Sequence, residues 1–232
     1  MSGNGTRVSG GRAAVVELVG PAGAGKSTLA RLLHERHASL SGLCGLWTLP
    51  RPRLHLTSLR RLPRVLTFYR AYPRPVWEEL KQIIRLDTLY RVVEREKMER
   101  PRAVLLDEGP VFALGWFQVH GDDRLHRSGF ATWRQRSIAR WSRMLDIVVV
   151  LDAPDAALAQ RIRTREKWHR VKHMSDDQIF AFLAMYRAAL AQAVAALNAI
   201  GGLRVLNFCT ATESAERAAD RLHAALQERL HG

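Results

Sequence analysis

Residues 16–28, VELVGPAGAGKST, constrain this chain more than any other stretch. Residues 13–19 are apolar and rich in β-branched side chains, the pattern of a strand buried on both faces. Residues 20–27 then fit G-x-x-x-x-G-K-[ST], and residues 28–37 carry Leu29, Leu32 and Leu33 at helical spacing. Strand, loop and helix come in the order that lets a curled backbone present its N–H groups to an anion. Gly23 and Gly25 permit the curl, the inward amides form an anion nest, and the helix adds its positive dipole end. Gly20, Ala22, Gly23, Ala24, Gly25, Lys26, Ser27 and Thr28 are therefore the expected phosphate-binding residues. Lys26 is suited to the outer phosphates and the Ser27 hydroxyl to magnesium. The ligand expected is a nucleoside triphosphate, ATP by preference, with Mg2+.

Residues 101–110, PRAVLLDEGP, place four apolar residues before two acids. In a doubly wound parallel sheet the carboxyl ends of the strands form the ligand edge, so Asp107 and Glu108 are expected there. Asp107 is the expected partner of Ser27 at magnesium, usually through water. Either acid can direct or deprotonate an acceptor hydroxyl, and Glu108 is the one expected to face the acceptor.

Residues 146–152, DIVVVLD, read as a further buried strand, after which Pro154 starts a helix. That helix leads into RIRTREKWHRVKH, and Ser175-Asp-Asp-Gln is a capping box opening the next helix. The following face holds Ile179, Phe182, Leu183, Tyr186 and Leu190. A strand ending in LD, a helix with Arg161-Ile162-Arg163-Thr164-Arg165 and a cationic segment after it resemble the P-loop nucleoside and nucleotide monophosphate kinases, thymidylate and adenylate kinases among them. The resemblance covers most of the chain from Ala13 onward. It implies a three-layer α/β sandwich with a parallel five-stranded sheet, a helical acceptor region over 50–100 and an arginine-rich lid over 161–175. It also implies that Arg161 stacks on the adenine and Arg165 reaches the phosphates, with Arg163, His169, Arg170 and Lys172 as further lid cations. Positioned cations suit phosphoryl transfer, which spreads negative charge over the equatorial oxygens. Two departures concern the acceptor. The Asp-Arg pair of thymidylate kinases is Asp107-Glu108 here, and the Glu-Arg-Ser signature of deoxynucleoside kinases is absent. A carboxylate in place of that arginine repels an acceptor phosphate and favours a neutral hydroxyl.

On the acceptor side, residues 42–49 are expected as the second strand and 75–100 as one long helix. Its apolar stripe runs from Trp77 through Ile83 and Leu89 to Val93, with Arg85, Asp87, Tyr90 and Arg91 on or beside it. Trp116, Phe117, Phe130, Trp133 and Trp141 suit either an acceptor pocket or the core, and His120, Asp122 and Asp123 are expected in a loop. Residues 203–208 read as the last strand and 212–229 as the closing helix, with 207–211 near the base. Residues 1–12 read as a disordered lead-in, and 13–232 as one domain.

The net charge of +14 raises polyanions as partners, because the interval from Arg36 to Trp77 holds eight arginines and no acid. A nucleic-acid-dependent ATPase and a non-catalytic nucleotide switch are therefore rivals to a kinase of a small-molecule acceptor. No nucleic-acid module is recognisable, and the lid cations argue for the kinase. No apolar run approaches the roughly 18 residues of a membrane span. Cys44 and Cys209 lack disulfide or metal spacing, which fits a reducing cytoplasm. A homodimer is compatible with the sequence.

Overall fold

Every residue of β1 (Ala14–Val19) is buried, Glu17 included, as expected of a run that is otherwise apolar. In the computed structural model, which describes residues 13–36, 40–49, 52, 77–99, 103–121, 128–166 and 169–231, β1 lies at the centre of a parallel sheet. The other strands are β2 (Leu40–Cys44), β3 (Ala103–Asp107), β4 (Ile147–Asp152) and β5 (Arg204–Cys209). The order is β2-β3-β1-β4-β5, so the chain reverses direction of winding across β1. Leu18 pairs with Asp107 and Val19 with Val150, which brings the ends of the three central strands to one edge. This is where a doubly wound sheet binds ligands.

The period-2 alternation of β1 divides the interior. Val15 and Val19 face one layer, built by α2 (Trp77–Glu99), α3 (Pro110–His120) and α4 (Ser128–Trp141). Val16 and Leu18 face the other, built by α1 (Lys26–Arg36), α5 (Asp155–Thr164) and α7 (Ala215–His231). Helix α6 (Asp176–Asn198) serves both layers, burying Ile179 and Leu183 on one side and Tyr186, Leu190 and Leu197 on the other. By length and composition α6 could cross a membrane, contrary to the expectation that no stretch does. Ile179, Leu183, Tyr186, Ala189, Leu190, Ala193 and Leu197 are buried in the sandwich, while Met185 is exposed.

Caps explain several boundaries. Ser175 and Gln178 form the expected capping box at the start of α6. Ser214 Oγ accepts from the Arg217 amide at 3.3 Å, so α7 begins at Ala215 rather than at 212. The second strand also lies earlier than expected. Residues 45–48 form a turn closed by the Gly45 amide on Thr48 Oγ1 at 3.0 Å and the Thr48 amide on the Gly45 carbonyl at 3.2 Å. The start of α5 is locked by Arg187 of α6, which donates to Asp152 at 2.8 and 3.0 Å and to Asp155 at 2.5 Å.

Candidate functional site

The loop between β1 and α1 curls as its glycines allow. Gly20, Gly23 and Gly25 take φ of 146°, 83° and 89°. A Cβ at Gly20 would lie 2.1 Å from the Leu151 carbonyl oxygen, so the loop also needs glycine there for its close approach to β4. Lys26 Nζ donates to the Gly20 and Pro21 carbonyls at 2.7 and 3.0 Å. Burial pushes this ammonium below its usual range, Arg165 pushes it the same way, and the charges of Glu108 and Asp107 oppose the shift. A partly buried cation that lines the cleft beside this loop is complementary to a polyanion.

The acidic tip of β3 stands beside the loop. Asp107 ends the strand, and Glu108 turns the chain with φ of 61°, a left-handed conformation that costs a non-glycine residue about 1–2 kcal/mol. The Glu108 carbonyl accepts from the Leu46 amide at 3.1 Å, which fixes the 45–48 turn against the tip. Beneath them lies Glu17, fully buried in β1. Its Oε1 accepts from the Gly109 and Phe112 amides at 2.8 and 3.0 Å, and its Oε2 from Val111 at 2.9 Å. These are unsatisfied donors of the first turn of α3, whose own N-cap residue is a glycine without a side chain to bond them. Burial pushes the Glu17 carboxyl up to about 7, with a smaller push from Glu108 and against the pull of the three amides.

From the other side, α5 and the turn after it supply cations. Arg161 Nη1 donates to the Gly23 carbonyl at 3.2 Å and to Thr210 Oγ1 at 2.9 Å. Arg165, His169 and Arg170 reach the cleft, and Lys172 Nζ bonds the Arg165 carbonyl at 2.6 Å. Arg163 does not: it pairs with Asp176 at 2.6 Å on the outer surface. Helical spacing turns it away from Arg161 and Arg165.

These groups line one cleft of about 740 Å3. Gly20, Ala22, Gly23, Gly25, Lys26, Ser27 and Thr28 line it from the loop, and Asp107, Glu108, Arg161 and Arg165 line it from the ends of β3 and α5. Phe112, Trp116, Phe182 and Tyr186 also line it, together with His120, His169 and Arg170. Trp116 stacks on His120 with ring centroids 5.1 Å apart, and Phe182 on Tyr186 at 5.8 Å. Burial and the charge of Arg170 push His120 down, while burial, Arg165 and Arg170 push His169 down. Burial raises the Tyr186 hydroxyl well above its usual range. A second cavity of about 330 Å3 adjoins the loop through Gly23, Gly25 and Arg161, and is closed by Phe208, Thr210 and Glu213. The Ser27 hydroxyl and the Asp107 carboxylate are among the groups that line the main cleft; that donor pair fits a magnesium ion carried on nucleotide phosphates and completed by water.

Several sequence expectations are corrected. Ala24 does not line the cleft; its side chain is buried in the core and its amide donates to the Pro21 carbonyl, so it braces the loop. Phe117, Phe130 and Trp133 pack on one another, and Trp141 is fully buried edge-on to Tyr90; only Trp116 of the five aromatic candidates reaches the cleft. His120 ends α3 rather than lying in a loop. Asp87 is buried and paired with Arg140 at 2.6 Å, Tyr90 lies under the same Arg140, and Arg91 is exposed. Arg85 meets the cleft only through Trp47, over whose ring its guanidinium lies at 4.0 Å. The arginine block Arg51, Arg53, Arg60, Arg61, Arg64, Arg70 and Arg74, the pair Asp122 and Asp123, and the lead-in 1–12 lie outside the described residues.

Glu17, Phe112 and Trp47 were not anticipated as part of the site. For Glu17 a signal existed: it is the one charged residue inside an otherwise apolar buried run.

No protein-family model matches the chain, and no curated protein is similar to it in sequence. Solved structures are similar in shape. A shikimate kinase from Bacteroides thetaiotaomicron is 13% identical with a TM-score of 0.47, over 92% of this chain and 98% of that one. A deoxyadenosine kinase from M. mycoides, determined with its products bound, is 15% identical with a TM-score of 0.52, over 92% of this chain and 99% of that one. Loop, sheet order and this second likeness together assign the chain the fold of the P-loop small-molecule kinases.

Proposed function

We propose that the protein is an ATP- and magnesium-dependent phosphotransferase of the cytoplasm that moves the γ-phosphoryl group to a hydroxyl of a small acceptor. One observation carries the reading: Lys26, Ser27, Asp107, Glu108 and Arg165, contributed by three separate segments, line the same cleft as the aromatic side chains Phe112, Trp116, Phe182 and Tyr186. A nucleotide-binding switch has no need of an aromatic wall beside its phosphate loop.

In this reading the loop amides and Lys26 hold the β- and γ-phosphates, and Ser27 and Asp107 hold magnesium, which neutralises phosphate charge. The base occupies the 330 Å3 cavity beside Arg161 and Thr210. The acceptor lies against Phe112, Trp116 and Tyr186 with its hydroxyl toward Glu108. As the acceptor oxygen bonds to the γ-phosphorus, the bond from that phosphorus to the β–γ bridging oxygen breaks, ADP leaves, and the hydroxyl proton passes to Glu108. Arg165 faces the transferring group and stabilises its charge. The aromatic wall excludes water as a competing acceptor.

The test is a screen with labelled ATP over nucleosides, nucleoside monophosphates, sugars and other small alcohols, comparing the wild type with Lys26→Ala. The wild type is expected to label one acceptor class and the variant none, while both keep the same circular dichroism. Labelling that persists at the wild-type rate in Lys26→Ala ends the proposal. Hydrolysis stimulated by RNA or DNA, with steep salt dependence, would favour a nucleic-acid-dependent ATPase instead.

A further inference from the structure

Glu17 has no part in the chemistry just described, yet it joins both halves of the site. It belongs to the strand that enters the phosphate loop, and it bonds three amides 92 to 95 residues away, at the start of the helix that carries Phe112 and Trp116. The period-2 alternation that turns Val15 and Val19 toward α3 turns Glu17 there too. The fit is close. A Cβ at Gly109 would lie 2.8 Å from the Glu17 carboxyl carbon and 3.0 Å from Oε2, so glycine at 109 leaves the space the carboxylate occupies. Between the acidic tip and these bonded amides stands only Glu108, held in its left-handed conformation. Such a conformation persists where its surroundings over-determine it. Here the restraints are the Leu46 amide on the Glu108 carbonyl and the Glu17 carboxylate on the very next amide, that of Gly109.

We propose that Glu17 is a positioning residue of the transfer reaction: by bonding the first turn of α3 from inside β1, it fixes the turn at Glu108 and so aims that acid, and the aromatic wall behind it, at the phosphate loop. The inference rests on the transferase reading above. Glu17 itself does not line the cleft and touches no reacting atom. Its effect passes through the 108–112 backbone.

Two variants test this from opposite sides. Glu17→Gln keeps the shape but turns one acceptor atom into a donor, leaving at least one of the three amides facing a donor. Gly109→Ala keeps the charge but displaces the carboxylate. Each is assayed with the best acceptor of the labelled-ATP screen, water included, and amide hydrogen exchange is followed over residues 109–113. Each is expected to lower kcat about tenfold to a hundredfold with KM for ATP within about twofold, because the loop is untouched while the acid is misplaced. Exchange at 109–113 is expected to rise by a similar factor. A variant that merely weakened the fold would speed exchange throughout and leave turnover per folded molecule unchanged, which overturns the proposal. Wild-type kcat and exchange in either folded variant also overturn it; should Glu17→Gln not fold, Gly109→Ala decides. A wild type with no Lys26-dependent turnover overturns the transferase reading itself, a distinct outcome.

Discussion

Arg161 grips Thr210 at two points, with Nη1 2.9 Å from the hydroxyl oxygen and Nη2 3.1 Å from the carbonyl oxygen. The same Nη1 donates to the Gly23 carbonyl, so one side chain from α5 ties the phosphate loop to the turn after β5. It also separates the main cleft from the smaller cavity, lining both. Arg161→Ala is expected to weaken ATP binding about tenfold, and Arg161→Lys to recover only part, since a single ammonium cannot reproduce the fork. Calorimetric titration with ATP and magnesium measures this; an unchanged Kd would remove Arg161 from the nucleotide site.

Arg165 differs in kind. Its guanidinium faces the cleft near Lys26, and its backbone carbonyl is held by Lys172. Arg165→Ala is expected to lower kcat about a hundredfold while KM for ATP changes little, the pattern of a group whose bond strengthens in the transition state. Steady-state kinetics with the acceptor found by the labelled-ATP screen decides, and equal losses in binding and turnover would assign it to ground-state binding.

Arg187 is structural. Its forked bonds to Asp152, its bond to Asp155 and its bond to the Ala153 carbonyl at 2.9 Å pin the end of β4 to α6. The group is partly exposed, so screening limits its worth. Arg187→Ala is expected to cost about 1 kcal/mol, read as a lower urea midpoint, with α5 and its arginines loosened as a consequence.

The pH dependence of stability follows from Glu17. Its carboxyl binds a proton more tightly in the folded chain, with a value of about 7, than at its ordinary value of 4.5. Between those values the native state holds the extra proton, so raising the pH across that window destabilises the fold. The wild type is expected to lose up to about 3 kcal/mol relative to Glu17→Gln between roughly pH 4.5 and 7. Urea midpoints of both proteins over that range measure the difference, and a gap that does not vary with pH contradicts the buried titration.

Much of the β1–α1 side of the candidate site was legible because it is local. The phosphate loop, its preceding strand and its following helix are contiguous, and the residue types that curl a backbone around an anion must stand together in sequence. The strand ending at Asp107 and the capping box at Ser175 were readable for the same reason. The aromatic side of the cleft was less so. Phe112 and Trp116 point into the cleft while Phe117, one residue further along the same helix, packs into the core with Phe130 and Trp133. Composition treats these rings alike; only the rotation of α3 against the sheet separates them.

By itself the sequence determined that a strand, a glycine-curled loop and a helix would form at residues 14–36, because backbone conformation and alternating burial depend on near neighbours. Only the tertiary structure decided that Glu17 would meet the amides of Gly109, Val111 and Phe112, and that Arg161 would meet Thr210. Those partners are brought together when the parallel strands stack and the helices close over them, and no local pattern encodes which distant amide a buried carboxylate will find.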